Sequence, residues 1–328
     1  MTIEEVLLND WHPVADAHAL RPGMLVQARL LGTDIALWRA ADGSPRAWLD
    51  RCPHRGTRLS IGRIENGSLR CAYHGWRFAD DGHCNEVPAL PGFVPPKSAR
   101  ATSFSVAESH GLLWICLGAP SGGPPSFTEA SDPALRAVVC GPYDVASSGP
   151  RIVENFLDMA HFPYVHTGIL GEPARPQVKD YDVQPLEGGG IIATRCFAWQ
   201  PRTNLLAQSG GEVEYTYRVT RPLTAILTKL PQTQKGFREA IALHVQPIEE
   251  ELSRAWMVLA MTAHEQSEES LRSFQDTIFL QDRPVLENQV PRRLPLAPGA
   301  ELAVASDRMS QAYRRYLAAQ GLRYGVIA

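Results

Sequence analysis

The sequence predicts an α+β fold in which an all-β N-terminal domain is followed by an antiparallel sheet covered by helices. Three observations support this class. Residues 1–117 carry short strand-like runs separated by turn-forming residues, a Gly-, Pro- and Ser-rich stretch follows at 118–126, and later strand-like runs precede two long helical patterns. We therefore expect two domains, at residues 1–145 and 146–328.

Strand-like runs in the N-terminal domain alternate with turn signals such as Pro22-Gly23 and Asp42-Gly43. The segment Asp80–Gly82 lies between two further short runs, a spacing typical of a β-hairpin. The predicted strands occupy residues 25–29, 35–39, 46–50, 77–79, 83–85 and 111–117.

Helical patterns frame the C-terminal domain. A first helix is expected at Ile152–Phe162, ended or kinked by Pro163. A long helix is expected at Glu268–Gln289, with an interruption near Pro284.

A final helix is expected at Ser306–Ala319, with Ser306 as its N-cap and Gly321 as its stop. Strand-like runs fill the region between the first two helices. They occupy residues 191–199, 214–219, 225–230, 240–246 and 255–260.

The composition does not indicate a nucleic-acid-binding or membrane-bound protein. The 328 residues carry a net charge of −3 at pH 7, and 20% of them are charged, without a basic excess. The N-terminus lacks the basic region and apolar stretch of a secretory signal. No run approaches the roughly 18 apolar residues of a spanning helix. We therefore expect a cytoplasmic protein.

Two cysteine–histidine pairs form the first constellation of chemically capable residues. Cys52 and His54 are separated by one residue, Cys71 and His74 by two, and sixteen residues lie between the pairs. A Rieske [2Fe–2S] cluster requires this division, because two cysteines hold one iron and two histidines hold the other. The pattern therefore predicts such a cluster.

A zinc site with the same four ligands is the alternative. Zinc fingers usually group cysteines in one pair and histidines in the other, whereas each pair here is mixed. Gly56 and Gly75 permit tight loops, and Trp76 can shield the histidine side. The remaining cysteines are expected to be ordinary buried thiols: Cys84, Cys116, Cys140 and Cys196.

Asp158, His161 and His166 form a second constellation. Asp158 and His161 are three residues apart and would share a helix face. His161 and His166 are five apart with Pro163 between them, so their alignment requires an irregular helix.

Two histidines and one carboxylate on one side of an iron make a facial triad, which leaves positions open for oxygen and substrate. The carboxylate must come from elsewhere in the chain. We choose Asp282 and keep Asp276 and Glu287 as alternatives. Asn155 is an ordinary helix residue or a hydrogen-bond partner near the iron.

Together these motifs resemble the Rieske non-haem iron oxygenase family over residues 10–290. The cluster loops match at Cys52, His54, Cys71 and His74, and residues 158–166 resemble the motif D-x-x-H-x₄-H. Residues 281–284 resemble the segment that supplies the third iron ligand. The resemblance implies a Rieske domain, a helix-grip catalytic domain and a head-to-tail homotrimer. In that trimer Asp158 would bridge to His74 of a neighbouring copy.

The chain length resembles that of single-subunit vanillate and dicamba O-demethylases. This resemblance implies O₂ as co-substrate, an NAD(P)H-dependent reductase, a possible ferredoxin, and a small aromatic or heterocyclic substrate. It favours monooxygenation or demethylation, in which a hydroxylated methyl is lost as formaldehyde, over ring cis-dihydroxylation. A Rieske electron-transfer protein and a zinc-stabilised scaffold remain as alternatives. Phe279, Leu280 and Trp256 are candidate pocket residues.

Overall fold

The computed structural model describes residues 3–203, 207, 209–231, 236–262 and 265–328. The chain divides into an N-terminal unit, Leu7–Pro124, and a C-terminal unit, Pro125–Ala328 together with Met1–Val6. A short helix α1 (Glu5–Leu8) lies at the division. The first unit is built from strands and the second from a sheet with helices, so the predicted α+β class is confirmed.

Two antiparallel sheets make up the N-terminal unit. A six-stranded sheet has the order β1-β10-β9-β4-β3-β2, and a four-stranded sheet has the order β5-β6-β7-β8. Their bounds are β1 His12–Asp16, β2 Leu25–Leu30, β3 Thr33–Arg39, β4 Pro45–Leu49, β5 Arg63–Glu65, β6 Ser68–Arg70, β7 Arg77–Phe78, β8 Cys84–Glu86, β9 Ser103–Ser109 and β10 Leu112–Cys116.

The core of this unit supports both cysteines of the first constellation. Trp38 and Trp48 pack edge to face with ring centroids 5.1 Å apart. Cys52 and Cys71 are buried in the same apolar cluster, together with Phe78. The cysteine ends of both loops are therefore fixed by core packing.

A seven-stranded antiparallel sheet, ordered β11-β17-β16-β15-β14-β13-β12, forms the C-terminal unit. Helices and a small parallel pair, β18-β19, accompany it. The bounds are β11 Arg136–Val145, α2 Gly149–Leu157, α3 Phe162–Val165, β12 Asp182–Pro185, β13 Ile191–Gln200, β14 Gly211–Arg221, β15 Thr224–Pro231, β16 Glu239–Glu249, β17 Leu252–Met261, α4 Glu268–Asn288, β18 Leu294–Pro295, α5 Arg308–Ala319 and β19 Val326–Ile327.

Helix α4 packs along the sheet as one continuous element. Its buried residues recur at helical spacing and include Leu271, Phe279 and Asp282. The interruption expected near Pro284 is wrong: the helix continues through this residue, whose side chain is exposed. Pro284 has no N–H to donate to the carbonyl of Leu280, and water can solvate that carbonyl because Leu280 lies on the exposed side of the helix.

The last helix begins later than predicted. Helix α5 starts at Arg308, and Ser306 is not its N-cap, because residues 305–307 form a 3₁₀ turn before it. Asp307 accepts a hydrogen bond from the Val304 amide at 2.8 Å and closes that turn. Gly321 follows the helix with a φ of 70°, as a C-terminal glycine should. In the described residues, no helix has the length and apolar character needed to cross a membrane.

Candidate metal centres

The two cysteine–histidine loops are closed by the same pair of backbone hydrogen bonds. The carbonyl of Cys52 accepts from the Gly56 amide at 2.9 Å, and that of Cys71 accepts from the Gly75 amide at 3.1 Å. Both glycines have positive φ, 74° and 72°, which glycine adopts without steric cost. Because the same hydrogen bond closes both loops, their backbones hold the cysteine and histidine side chains in similar ways.

Aromatic packing orders the imidazoles. The His54 ring stacks on Trp76 at 4.3 Å with an interplanar angle of 7°. The His54 and His74 ring centroids are 4.5 Å apart. Tyr73 packs against His74 at 3.7 Å. Both cysteines are buried whereas His74 is exposed, so the histidine side faces outward.

The thiol and imidazole pKa values at this site are shifted. Burial, with the neighbouring Cys71, raises the pKa of the Cys52 thiol to about 11. Burial also lowers the pKa of His54, whose neighbour His74 acts in the same direction.

The spread of the four candidate ligands separates a zinc site from a cluster. One tetrahedral zinc would bring all four ligand atoms within about 4 Å of each other. In the described part of the chain, these four residues supply no group of three whose ligand atoms lie within 4.8 Å. This spread disfavours a single zinc and fits a binuclear cluster.

The second constellation lies at a break between two helices. Helix α2 begins after Ser148, whose side chain accepts a hydrogen bond from the Arg151 amide, and ends at Leu157. Asp158 is extended, with φ −87° and ψ 136°. The predicted helix over residues 152–162 is therefore wrong beyond Leu157, and Asp158 shares no helix face with His161.

Pro163 begins a helix instead of kinking one. It lies in the first turn of α3, where its missing N–H costs nothing. A helix running through residue 163 would place its ring against the carbonyl of Met159 and lose one hydrogen bond, which disfavours a continuous helix here. His161 and His166 flank this one-turn helix as its N-cap and C-cap residues.

Three ligand atoms meet in the C-terminal unit. The Nε2 atoms of His161 and His166 are 3.2 Å apart. Asp282 Oδ1 lies 3.4 Å from His161 Nε2 and 3.2 Å from His166 Nε2. Ligands at right angles around a first-row metal, with bonds of about 2.1 Å, are about 3 Å apart. The triangle therefore fits one face of a metal's coordination sphere.

Hydrogen bonds orient each member of this triad. The His161 Nδ1–H donates to Asp158 Oδ2 at 3.1 Å, and the His166 Nδ1–H donates to Gln281 Oε1 at 2.8 Å. Both imidazoles therefore present Nε2 to the centre. The Asn155 side-chain amide lies 3.5 Å from Asp282 Oδ1, so of its two expected roles the structure favours that of a hydrogen-bond partner near the triad.

Charge also concentrates at the triad. Burial lowers the pKa of His161, but the carboxylates of Asp158 and Asp282 outweigh it and raise that pKa to about 9. Burial raises the pKa of Asp282, but the two imidazoles lower it to about 2. An anionic carboxylate beside imidazoles suits a divalent cation.

The two alternative carboxylates are engaged elsewhere. Asp276 accepts a hydrogen bond from the Tyr143 hydroxyl at 2.5 Å. Glu287 accepts from the Ala146 amide at 3.1 Å and pairs with Arg283 at 3.0 Å. Neither belongs to the group formed by the triad.

A largely apolar cavity adjoins the triad between α2, α4 and the sheet. Of the three candidate pocket residues, Phe279 lines it. Leu280 is 53% exposed on α4, and the indole of Trp256 is bonded to Gln246 outside the cavity wall. The other lining residues were not predicted from the sequence; they include Ile152, Phe156, Phe162, Leu170, Tyr215, Tyr217, Leu227, Lys229, Glu239, Ile241, Leu243 and Ile278.

Comparison with known proteins accounts for both units. Residues 10–102 match the profile described as Rieske [2Fe-2S] domain. Residues 145–322 match that described as Vanillate O-demethylase oxygenase C-terminal domain. The chain belongs to the Rieske non-haem iron oxygenase family.

The oxygenase has relatives over its whole length. It is 32% identical over 320 residues to the probable methylxanthine N7-demethylase NdmC of Pseudomonas sp. (strain TJI-51), which covers 97% of this chain and 96% of the relative. The structure of NdmA from Pseudomonas putida CBB5 matches with a TM-score of 0.81 and 28% identity, over 96% of this chain and 90% of that one. Dicamba monooxygenase bound to 3,6-dichlorosalicylic acid matches with a TM-score of 0.77 and 25% identity, over 97% and 99%.

The oxygenase is therefore the catalytic component of a multicomponent system. It uses dioxygen and electrons from a separate reductase to hydroxylate or demethylate a small organic substrate. Its cofactors are a Rieske [2Fe–2S] cluster and mononuclear iron. The donor sets fit both, because two thiols with two imidazoles suit the cluster and two imidazoles with a carboxylate suit ferrous iron.

Proposed function

We propose that this oxygenase is an N- or O-demethylase of a small aromatic or heterocyclic compound, with its mononuclear iron held by His161, His166 and Asp282. One observation carries the proposal: the three ligand atoms lie within 3.4 Å of one another at the wall of a mainly apolar cavity. Similarity to a protein named as a methylxanthine demethylase supports the N-methyl class.

The cavity residues bind and orient the substrate. Phe156, Phe162 and Phe279 supply flat apolar surfaces for a ring and exclude water. The chemistry that ferrous iron supplies at such a triad is activation of dioxygen for insertion into a C–H bond. A hydroxylated N- or O-methyl then loses formaldehyde.

For the cluster we propose the ligands Cys52, His54, Cys71 and His74. The equivalent backbone closures of the two loops support this assignment. The domain boundary expected at residues 145/146 needs one change, because strand β11 belongs to the seven-stranded sheet. We therefore assign Leu7–Pro124 to the Rieske domain and residues 125–328 to the catalytic domain.

Asp158 is proposed as a bridge between copies in a homotrimer, linking His161 to His74 of a neighbouring copy. Two features support this role. Its Oδ2 already accepts from His161, while the side chain remains 30% exposed and so accessible to another chain. His74 is exposed on its own unit.

The proposed electron source is an NAD(P)H-dependent reductase, with or without a ferredoxin. We also propose a cytoplasmic location. None of the six cysteines, all of which lie in the described residues, forms a disulfide, as expected in a reducing compartment.

Formaldehyde release tests the proposal. Iron-loaded enzyme, a reductase of this system and NADH would be incubated with N-methyl heterocycles and methoxyarenes. We expect formaldehyde in proportion to substrate consumed, with none from a His161→Ala variant. A cis-diol product without formaldehyde would instead identify a ring dioxygenase, and reduction without oxygen uptake on any substrate would leave an electron carrier.

A further inference from the structure

A row of three polar residues crosses the face of the catalytic sheet that lines the cavity. Tyr215 on β14 is the register partner of Lys229 on β15, which in turn is the partner of Glu239 on β16. The adjacent lining positions on the same face, Leu227 and Ile241, are apolar. All three members of the row line the cavity that also contains the triad.

The Lys229–Glu239 pair is buried without being fully bonded. Its side chains are 5% and 8% exposed, and Lys229 Nζ lies 3.4 Å from Glu239 Oε2. That oxygen has no hydrogen-bond partner in the described part of the chain. Charges removed from water lose several kcal/mol of hydration unless hydrogen bonds replace it. A pair that served only stability would be replaced by apolar residues at little cost.

A neutral donor lies beside the pair. The Tyr217 hydroxyl is buried and has no hydrogen-bond partner among the described residues. Its ring stacks on Tyr215 at 5.8 Å, and Tyr215 is itself bonded to Gln200 at 2.5 Å. The wall therefore presents an ammonium, a carboxylate oxygen and a phenol with unused hydrogen-bonding capacity.

We infer that Lys229 and Glu239 form a recognition subsite for a neutral ring that carries a carbonyl next to an N–H, as in a lactam or cyclic imide. Lys229 donates to the ring carbonyl and Glu239 accepts from the ring N–H. The pair has no net charge, so it offers no unbalanced counter-ion for a carboxylate or ammonium. This inference deepens the proposed function and rests on it for the identity of the reaction.

Ligand binding without turnover tests the subsite. Three probes of similar size would be titrated calorimetrically into full-length, iron-loaded enzyme: 2-quinolone, N-methyl-2-quinolone and 2-naphthoate. The second lacks the N–H and the third is anionic. The test variant is Lys229→Met with Glu239→Leu, which removes both charges together and leaves neither one buried alone. The control is Asp144→Asn with Arg254→Gln, a cross-strand ion pair of the same sheet outside the cavity.

We expect wild type and control to bind 2-quinolone roughly tenfold or more tightly than its N-methyl analogue, because a charge-assisted hydrogen bond is lost. The double variant should bind both within about twofold, with an unchanged melting temperature. An unchanged ratio in that variant would show a purely structural pair. Absent binding, absent discrimination in wild type, or preference for 2-naphthoate would also overturn the inference.

The two proposals can fail separately. A normal probe ratio in an enzyme that releases no formaldehyde would reject the demethylase and keep the subsite. Formaldehyde release with no probe discrimination would do the reverse.

Discussion

Asp158 accepts a hydrogen bond from His161 at 3.1 Å across a break in the helix, not along a helix face. A second bond, from the Ala160 amide to Asp158 Oδ1 at 2.8 Å, fixes the carboxylate in the turn. The orientation of His161 therefore depends on the turn that follows α2.

Replacing Asp158 separates orientation from bridging. Asp158→Asn keeps an oxygen acceptor for His161 and should retain iron, whereas Asp158→Ala should also weaken iron binding by roughly 10- to 100-fold. If the carboxylate bridges copies, both variants should lose most reductase-driven turnover. Iron analysis and formaldehyde assays would measure these effects, and full turnover by the Asn variant would contradict the bridge.

Metal analysis checks the choice of Asp282 over its alternatives. Wild type should contain about three irons and two acid-labile sulfides per chain. Asp282→Ala should lose one iron and keep the sulfide, because only the triad is disturbed. Asp276→Asn and Glu287→Gln serve as matched controls with all three irons, and iron loss confined to one of them would move the ligand assignment there.

Gln281 is expected to act through His166. Gln281→Leu leaves the His166 Nδ1–H without its acceptor, and iron affinity should fall roughly 10- to 100-fold. Gln281→Glu keeps an acceptor and should restore binding. Competition with a chelator would measure both, and equal affinities in Leu and Glu variants would exclude the positioning role.

The visible spectrum should report on the cluster loops. Cys52→Ser should remove or strongly alter the absorption and the reduced electron paramagnetic resonance signal, since the variant loses a thiolate ligand. Cys84→Ala changes a buried thiol outside the loops and should keep both signals. An unaltered spectrum in the Cys52 variant would contradict the assignment.

Acid stability should depend on Glu301. Arg151 lowers the pKa of Glu301 below its ordinary value of 4.5, with Arg314 acting in the same direction. Because the folded-state pKa is the lower one, this group stabilises the fold above pH 4.5, and the contribution disappears as pH falls through the lowered value. Glu301→Gln should therefore flatten the acid limb of melting temperature against pH. An identical acid limb would show that the ion pairs contribute nothing.

Short-range patterns are sufficient for much of the fold and for selecting the two candidate histidines. His161 and His166 are close in sequence, and hairpin signals predict strands such as β2 and β3. Asp282 is far from both histidines in sequence, so local spacing alone does not distinguish it from Asp276 or Glu287. Strands β9 and β12 are among those that were not predicted, because both contain many polar residues and neither has a buried residue.

The cavity wall was harder to predict than the ligands. Lys229 and Glu239 are far from the motifs, and only strand register brings them together. A charged residue in a strand is usually solvated, so its burial depends on tertiary packing that a local pattern does not contain. The end of α2 at Leu157 was not predicted either, because the apolar spacing continues to Phe162 and Pro163 disfavours only the turn just before it.

A metal held by the triad would link the turn after α2 to helix α4, two segments that strands β12 to β17 separate in the sequence. These metal–ligand bonds close a long loop of the chain and restrict the unfolded ensemble much as a covalent cross-link does. Metal binding would then stabilise the folded state. A chain without iron should open more readily between the turn after α2 and helix α4, and proteases should degrade it before the iron-loaded chain.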